Sequence, residues 1–251
     1  MEVHHHPKVE KKNFKEYLLE GLMIFVAVTL GFFAEQIRES FTEHQRGKEY
    51  IQEVYEDLQT DTTRLANLIA YDAYKISALQ NMAGCYDTVS ANLKSTNCMG
   101  ELVKNSKVNH AFQIDDRAIR QLANAGGFRL LMKEDADSII EYENLFKQYA
   151  DFQATAFQQA QDNVRNTLNM LADFKVNFEI QKTAPLQGID TSSSQPNGPF
   201  LFSNDKAMLN KWFNELAIYL RVTRGQKKIL SDLKGRATGV IIYFKSKYDL
   251  K

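Results

Sequence analysis

Residues 17–34 read YLLEGLMIFVAVTLGFFA, a run of eighteen in which Glu20 is the only charge. As a helix rising 1.5 Å per residue it is about 27 Å long, close to the roughly 30 Å apolar thickness of a bilayer. Residues 22–30 carry Thr29 as their one polar group, so this helix is apolar around its full circumference, unlike the one-sided helix of a water-exposed domain. Glu20 lies within a turn of Tyr17 and Glu35 follows the run, which makes both acids membrane-interface residues, and Tyr17, Phe32 and Phe33 suit the interfacial belts. A retained transmembrane helix over 17–35 is therefore expected. Two readings compete with it. A cleaved signal peptide has its basic start in Lys8, Lys11, Lys12 and Lys15, but Thr29 and Gly31 fit a cleavage site loosely; a buried core helix is the other. Ala27 and Gly31, four apart, are spaced for close packing of two spans.

Basic residues in the flanks set the expected orientation. The tail 1–16 has four lysines, whereas 35–54 has Arg38, Arg46 and Lys48 against five glutamates. The bias favours a cytoplasmic amino terminus in a bacterial inner membrane. The remaining chain is then extracytoplasmic, periplasmic in a bacterium with two membranes.

Beyond the span the expected class is all-α. Only 12 Gly and 4 Pro occur in 251 residues, too few reversals for a turn-rich β architecture. From Ile37 through Phe41, Ile51, Tyr55, Leu58, Leu65, Ile69, Ile76 and Leu79, apolar positions recur at alternating steps of four and three, a heptad-like stripe interrupted by His44, Lys48, Thr62 and Asp72. This predicts a stalk of one or two helices over 36–94, with residues 60–63 as a candidate new helix start. Residues 95–251 are expected to form an antiparallel helical bundle packing on the stalk. Within it, 95–109 reads as a polar loop, Asp115 and Asp116 as a helix start, Gly126 and Gly127 as a stop, and 134–181 as a continuing helical pattern. The segment 183–203, with three prolines and a serine run, reads as an irregular loop. A last helix begins near Asp205, with Leu209, Phe213, Leu216, Leu230, Leu233, Ala237 and Phe244 on its buried stripe.

Little in the chain points to chemistry. Lysine plus arginine equals aspartate plus glutamate at 31 each, so no general attraction to nucleic acid is expected. The spacings HExxH, GxxxxGK[ST], GxSxG and CxxC are absent, and neither catalysis nor a cofactor is expected. His4, His5 and His6 diverge from one another and suit a solvated tail better than a metal site, and His44 reads as a polar interruption of the stripe. Cys85 and Cys98, the only two cysteines, lie in a compartment read as oxidising. They either form a bond or remain two buried thiols.

The stretch MEVHHHPKVEKKNFKEYLLEGLMIFVAVTLGFFAEQIRES, continuing to EHQRGKEYIQEVYEDLQTD, resembles a family of bacterial single-pass membrane proteins of unknown function, as does RAIRQLANAGGFRLLMKEDADSIIEYENL at 117–145. That resemblance implies an inner-membrane anchor with a helical extracytoplasmic domain and brings no activity with it. The expected role is a scaffold or accessory subunit of an envelope complex. Its expected partners are the lipid bilayer and either a second copy or another envelope protein. Two other roles are weighed beside it. One is a ligand-sensing bundle lined by Tyr142, Tyr149, Phe152 and Phe157 that acts through a partner; the other is an ion-coupled subunit using Glu20.

Overall fold

A computed structural model of the chain describes residues 13–92, 97–107, 109–124, 126–183, 200–203 and 205–250. Among these residues the fold is all-α. A long first helix, α1 (Phe14–Gln80), is followed by α2 (Met82–Ala91), α3 (Asn97–Lys107), α4 (Arg117–Asn124), α5 (Lys133–Phe152), α6 (Gln158–Leu171), α7 (Phe174–Thr183) and α8 (Lys206–Tyr248). A 3-10 turn, Gly127–Leu130, precedes α5, and a π-helical turn, Gln153–Phe157, joins α5 to α6. The one β feature among the described residues is an antiparallel bridge between Ala172 and Leu201. The chain divides into two compact units, Met1–Glu49 and Tyr50–Lys251.

In the first unit, the large apolar side chains Leu18, Leu22, Phe25, Leu30, Phe32 and Phe33 of α1 are all exposed. The apolar run has a mean hydropathy of 2.0 with none of it buried, and among the described residues this is the one helix long and apolar enough to cross a membrane. Its internal polar group is satisfied locally, since Thr29 Oγ1 donates to the Phe25 carbonyl at 2.7 Å.

The second unit holds two apolar clusters. Ile51, Val54, Tyr55, Leu58 and Leu65 of α1 pack with Ala118, Ile119 and Leu122 of α4, Ile139, Tyr142 and Tyr149 of α5, and Leu230–Phe244 positions of α8. Leu79 of α1 instead joins Val89, Leu102, Val103, Phe157, Val164, Leu168 and the amino-terminal half of α8, from Leu209 to Tyr219. Rising numbers along α1 thus meet falling numbers along α8, so these two helices are antiparallel. Asp205 caps α8 by accepting from the Ala207 and Met208 N–H groups at 2.8 and 3.2 Å. Gly126 stops the chain after α4 in a left-handed conformation, φ 63°. A Cβ on Gly127 would lie 3.1 Å from the Leu122 backbone, so a side chain there would strike the end of α4.

Three expectations are corrected. The supposed loop at 95–109 contains α3, whose Met99, Leu102 and Val103 are buried at steps of three and one along one face. Residues 60–63 do not start a new helix: α1 runs through them, and the hydroxyls of Thr60, Thr62 and Thr63 donate back to the Glu56 and Gln59 carbonyls. The pattern over 134–181 is broken by the π turn and again at Ala172, where the bridge to Leu201 ends α6. Most of the predicted loop 183–203 lies outside the described residues.

Candidate functional site

Between the two apolar clusters lies a polar layer. Asp72 and Lys75 sit on α1 between Leu65 and Leu79 and are 1% and 0% exposed; Thr223 and Gln226 occupy the matching interval of α8, also buried. A lysine in a core must bring its own solvation. Here Lys75 Nζ donates to Tyr219 Oη at 3.1 Å, and it lies 4.8, 5.6 and 5.5 Å from the ring centroids of Tyr71, Phe157 and Tyr219. Those three rings form a cage for the ammonium. The Asp72 carboxylate is less well served, since neither oxygen has a hydrogen-bond partner in the protein. Burial therefore pushes its pKa well above the ordinary carboxylate range, opposed by Lys75 and Lys227. Burial lowers Lys75, opposed by Asp72 and assisted by Arg165. Both groups are too buried to meet a substrate.

Over this layer opens a groove of about 540 Å³. One wall is the loop 109–113, and the other comes from α5, the π turn and α6. Tyr149 fixes the loop, its Oη accepting from Phe112 N–H at 2.9 Å. The Phe112 ring meets Phe146 edge-on at 5.9 Å. His110, next in the loop, packs its ring edge-on against Tyr71 of the cage, with centroids 4.8 Å apart. Arg165 of α6 is the only charged side chain among the twelve lining residues. The π turn contributes Gln153 and Ala154; such one-residue insertions turn side chains off the regular helical phase and recur at functional sites.

Two further polar clusters are structural clamps. Asp61 accepts from Tyr142 Oη at 2.7 Å and from Asp115 N–H at 3.0 Å, and Asp57 accepts from Ala118 N–H at 3.3 Å. The start of α4 is thus tied to carboxylates of α1, while Asp115 and Asp116 do not supply those caps. Asp135, fully buried at the start of α5, accepts from Tyr243 Oη, Lys247 Nζ and Tyr248 Oη at 2.8, 2.6 and 2.6 Å, which ties the end of α8 to α5.

Of the residues singled out from sequence, Cys85 and Cys98 are joined in a disulfide, Cα atoms 5.6 Å apart, linking α2 to α3. Ala27 and Gly31 lie on the exposed part of α1, where a Cβ on Gly31 would meet nothing within 4 Å. Glu20 is exposed on the same helix, and Glu35 accepts from Arg38 Nε at 3.0 Å. His44 is exposed; His4, His5 and His6 lie outside the described residues. Of Tyr142, Tyr149, Phe152 and Phe157, expected to line one ligand site, only Tyr149 lines the groove. Tyr142 is held by Asp61, Phe152 packs at Gly225 of α8, and Phe157 belongs to the lysine cage. Sequence reading missed Lys75 and Arg165, although Lys75, three residues after the stripe's interruption at Asp72, was a readable signal. Among the described residues no group of three or more His, Cys, Asp or Glu is placed to hold a metal ion. Compared with known proteins, the chain matches no family model, no curated protein and no solved structure.

Proposed function

We propose that the chain is a membrane-anchored helical scaffold or accessory subunit of a bacterial envelope complex and carries out no catalysis. The amino terminus is cytoplasmic, the span covers 17–35, and the second unit is periplasmic. One observation carries this reading: the apolar side chains from Leu18 to Phe33 are all turned outward on an uninterrupted helix, an arrangement stable in lipid and costly in water. The disulfide between Cys85 and Cys98 supports an oxidising compartment for the second unit. The partner is a second copy or another envelope protein. The proposed test combines alkaline extraction of membranes with cross-linking of the intact chain in them. Retention in the pellet, protease access to the second unit only from the periplasmic side, and a cross-linked species are expected. Release into the alkaline wash would refute the anchor, and an exclusively monomeric chain after cross-linking would refute the scaffold.

A further inference from the structure

Helix α1 changes character at the end of its apolar run, but only part of its surface changes with it. One position of its seven-residue repeat reads Leu18, Phe25 and Phe32, then Glu39 and Arg46: apolar within 17–35 and charged beyond, as a helix leaving lipid for water requires. Glu35 and Glu43 lie beside that face. The opposite face makes no such change. At steps of four and three it carries Met23, Ala27, Leu30, Ala34, Ile37, Phe41 and His44, all seven exposed. Ile37 and Phe41 lie past the span and are 70% and 66% exposed in the first unit. Two large apolar side chains on one face, where the opposite face has turned to charge, call for a protein cover.

The flanks and ends of this stripe select the cover. The positions beside it are Phe33, Ser40 and Gly47 on one side and Gly31, Arg38 and Gln45 on the other. Their one charge, Arg38, is held by its own helix, with Nε donating to Glu35 at 3.0 Å. A different helix recognised by charge would need charged flanks to meet, whereas an identical helix needs none. Two copies anchored in one bilayer with the same orientation lie parallel and at the same depth, so each layer of the stripe meets itself. Ala27 and Ala34 of one copy then face the same small residues of the other, which lets the spans close. Ile37 and Phe41 gain apolar neighbours where lipid no longer covers them. The next layers outward are Glu20 and Lys48, and each would face a like charge, which bounds the seam at both ends. We propose that α1 pairs in parallel and in register with α1 of a second copy over 23–44. The proposal rests on the membrane anchor argued above and commits its partner to a second copy of this chain.

The test uses the full chain in phospholipid vesicles, with one cysteine introduced at a time and a copper oxidant added. Cys85 and Cys98 are already joined to each other, so the introduced thiol is the one available to react. Ile37→Cys and Phe41→Cys should form a disulfide-linked dimer at least about tenfold faster than Glu39→Cys or Arg46→Cys, because only facing positions come within disulfide reach. Phe41→Lys sets like charges across the seam and should abolish energy transfer between labelled copies, whereas Glu39→Lys, the same change of residue on the opposite face, should leave it at the parent's level. Equal dimer formation at all four cysteine positions, or energy transfer in Phe41→Lys equal to the parent's, overturns the proposal. Cross-linking of Ile37→Cys in native membranes to a different protein, with no dimer, overturns the second copy while leaving the scaffold standing. Release of the parent chain by alkaline washing refutes the anchor itself, a separate failure.

Discussion

Replacing Asp72 by asparagine should change how the stability of the second unit depends on pH. Asp72 is 1% exposed with neither oxygen hydrogen-bonded in the protein, so burial raises its folded-state pKa above the unfolded value. A group shifted in that direction contributes stability that is fully present below the unfolded pKa and is lost as pH rises through the folded one. Between those limits the native state holds one proton more than the unfolded state, and stability falls by at most about 1.4 kcal/mol per pH unit. Lys75 is lowered from an alkaline starting value and stays protonated in both states through the acidic part of this window, so it adds no slope there. Asparagine cannot titrate. The Tm of the parent relative to that of Asp72→Asn should therefore fall as pH is raised from about 4.5 to 6, by roughly 3–5 °C per pH unit for a unit of this size. Trp212, the single tryptophan and fully buried, reports unfolding by its own fluorescence. Parallel pH profiles for the two proteins over that range would refute the reasoning, because they would mean that Asp72 titrates alike folded and unfolded.

The disulfide closes a thirteen-residue separation, so reduction, or Cys85→Ser with Cys98→Ser, should cost about 3 kcal/mol by chain entropy, read as a lower Tm; two alkylatable thiols in the unreduced protein would contradict it. Asp61→Ala strands the buried Tyr142 hydroxyl and the Asp115 N–H, a loss of about 1–3 kcal/mol for each unmet group, while Asp61→Asn keeps an acceptor and should lose less in the same thermal assay.

How far the sequence could be read depended on whether a feature announces itself locally. The outward-facing run at 17–34, the stop at Gly126 and the cap at Asp205 each rest on residues within one turn of the feature, and each was legible. Helix α3 was missed because its polar composition hid a short buried face of Met99, Leu102 and Val103. The carboxylates that hold the start of α4 and the residue before it, Asp57 and Asp61, are 61 and 54 residues away in sequence, and no local pattern reveals such an acceptor. Spacing from Asp72 puts Lys75 on the buried face of α1, but only the fold shows the three aromatic rings around it. The groove depends on the loop 109–113 meeting α5 and α6, a juxtaposition that periodicity cannot foretell.

The π turn at Gln153–Phe157 also makes room in the chain's length. It takes up one residue more than a regular turn would, and deleting any one of those five would rewind it to ordinary α geometry. The shorter α turn hands the chain on in nearly the same phase, because the extra residue was absorbed within the turn. Val164, Leu168 and Leu171 would then stay on the inward face of α6. Single-residue deletions should therefore be tolerated better here than in the regular turns of α8, where each would rotate everything beyond it by about 100°.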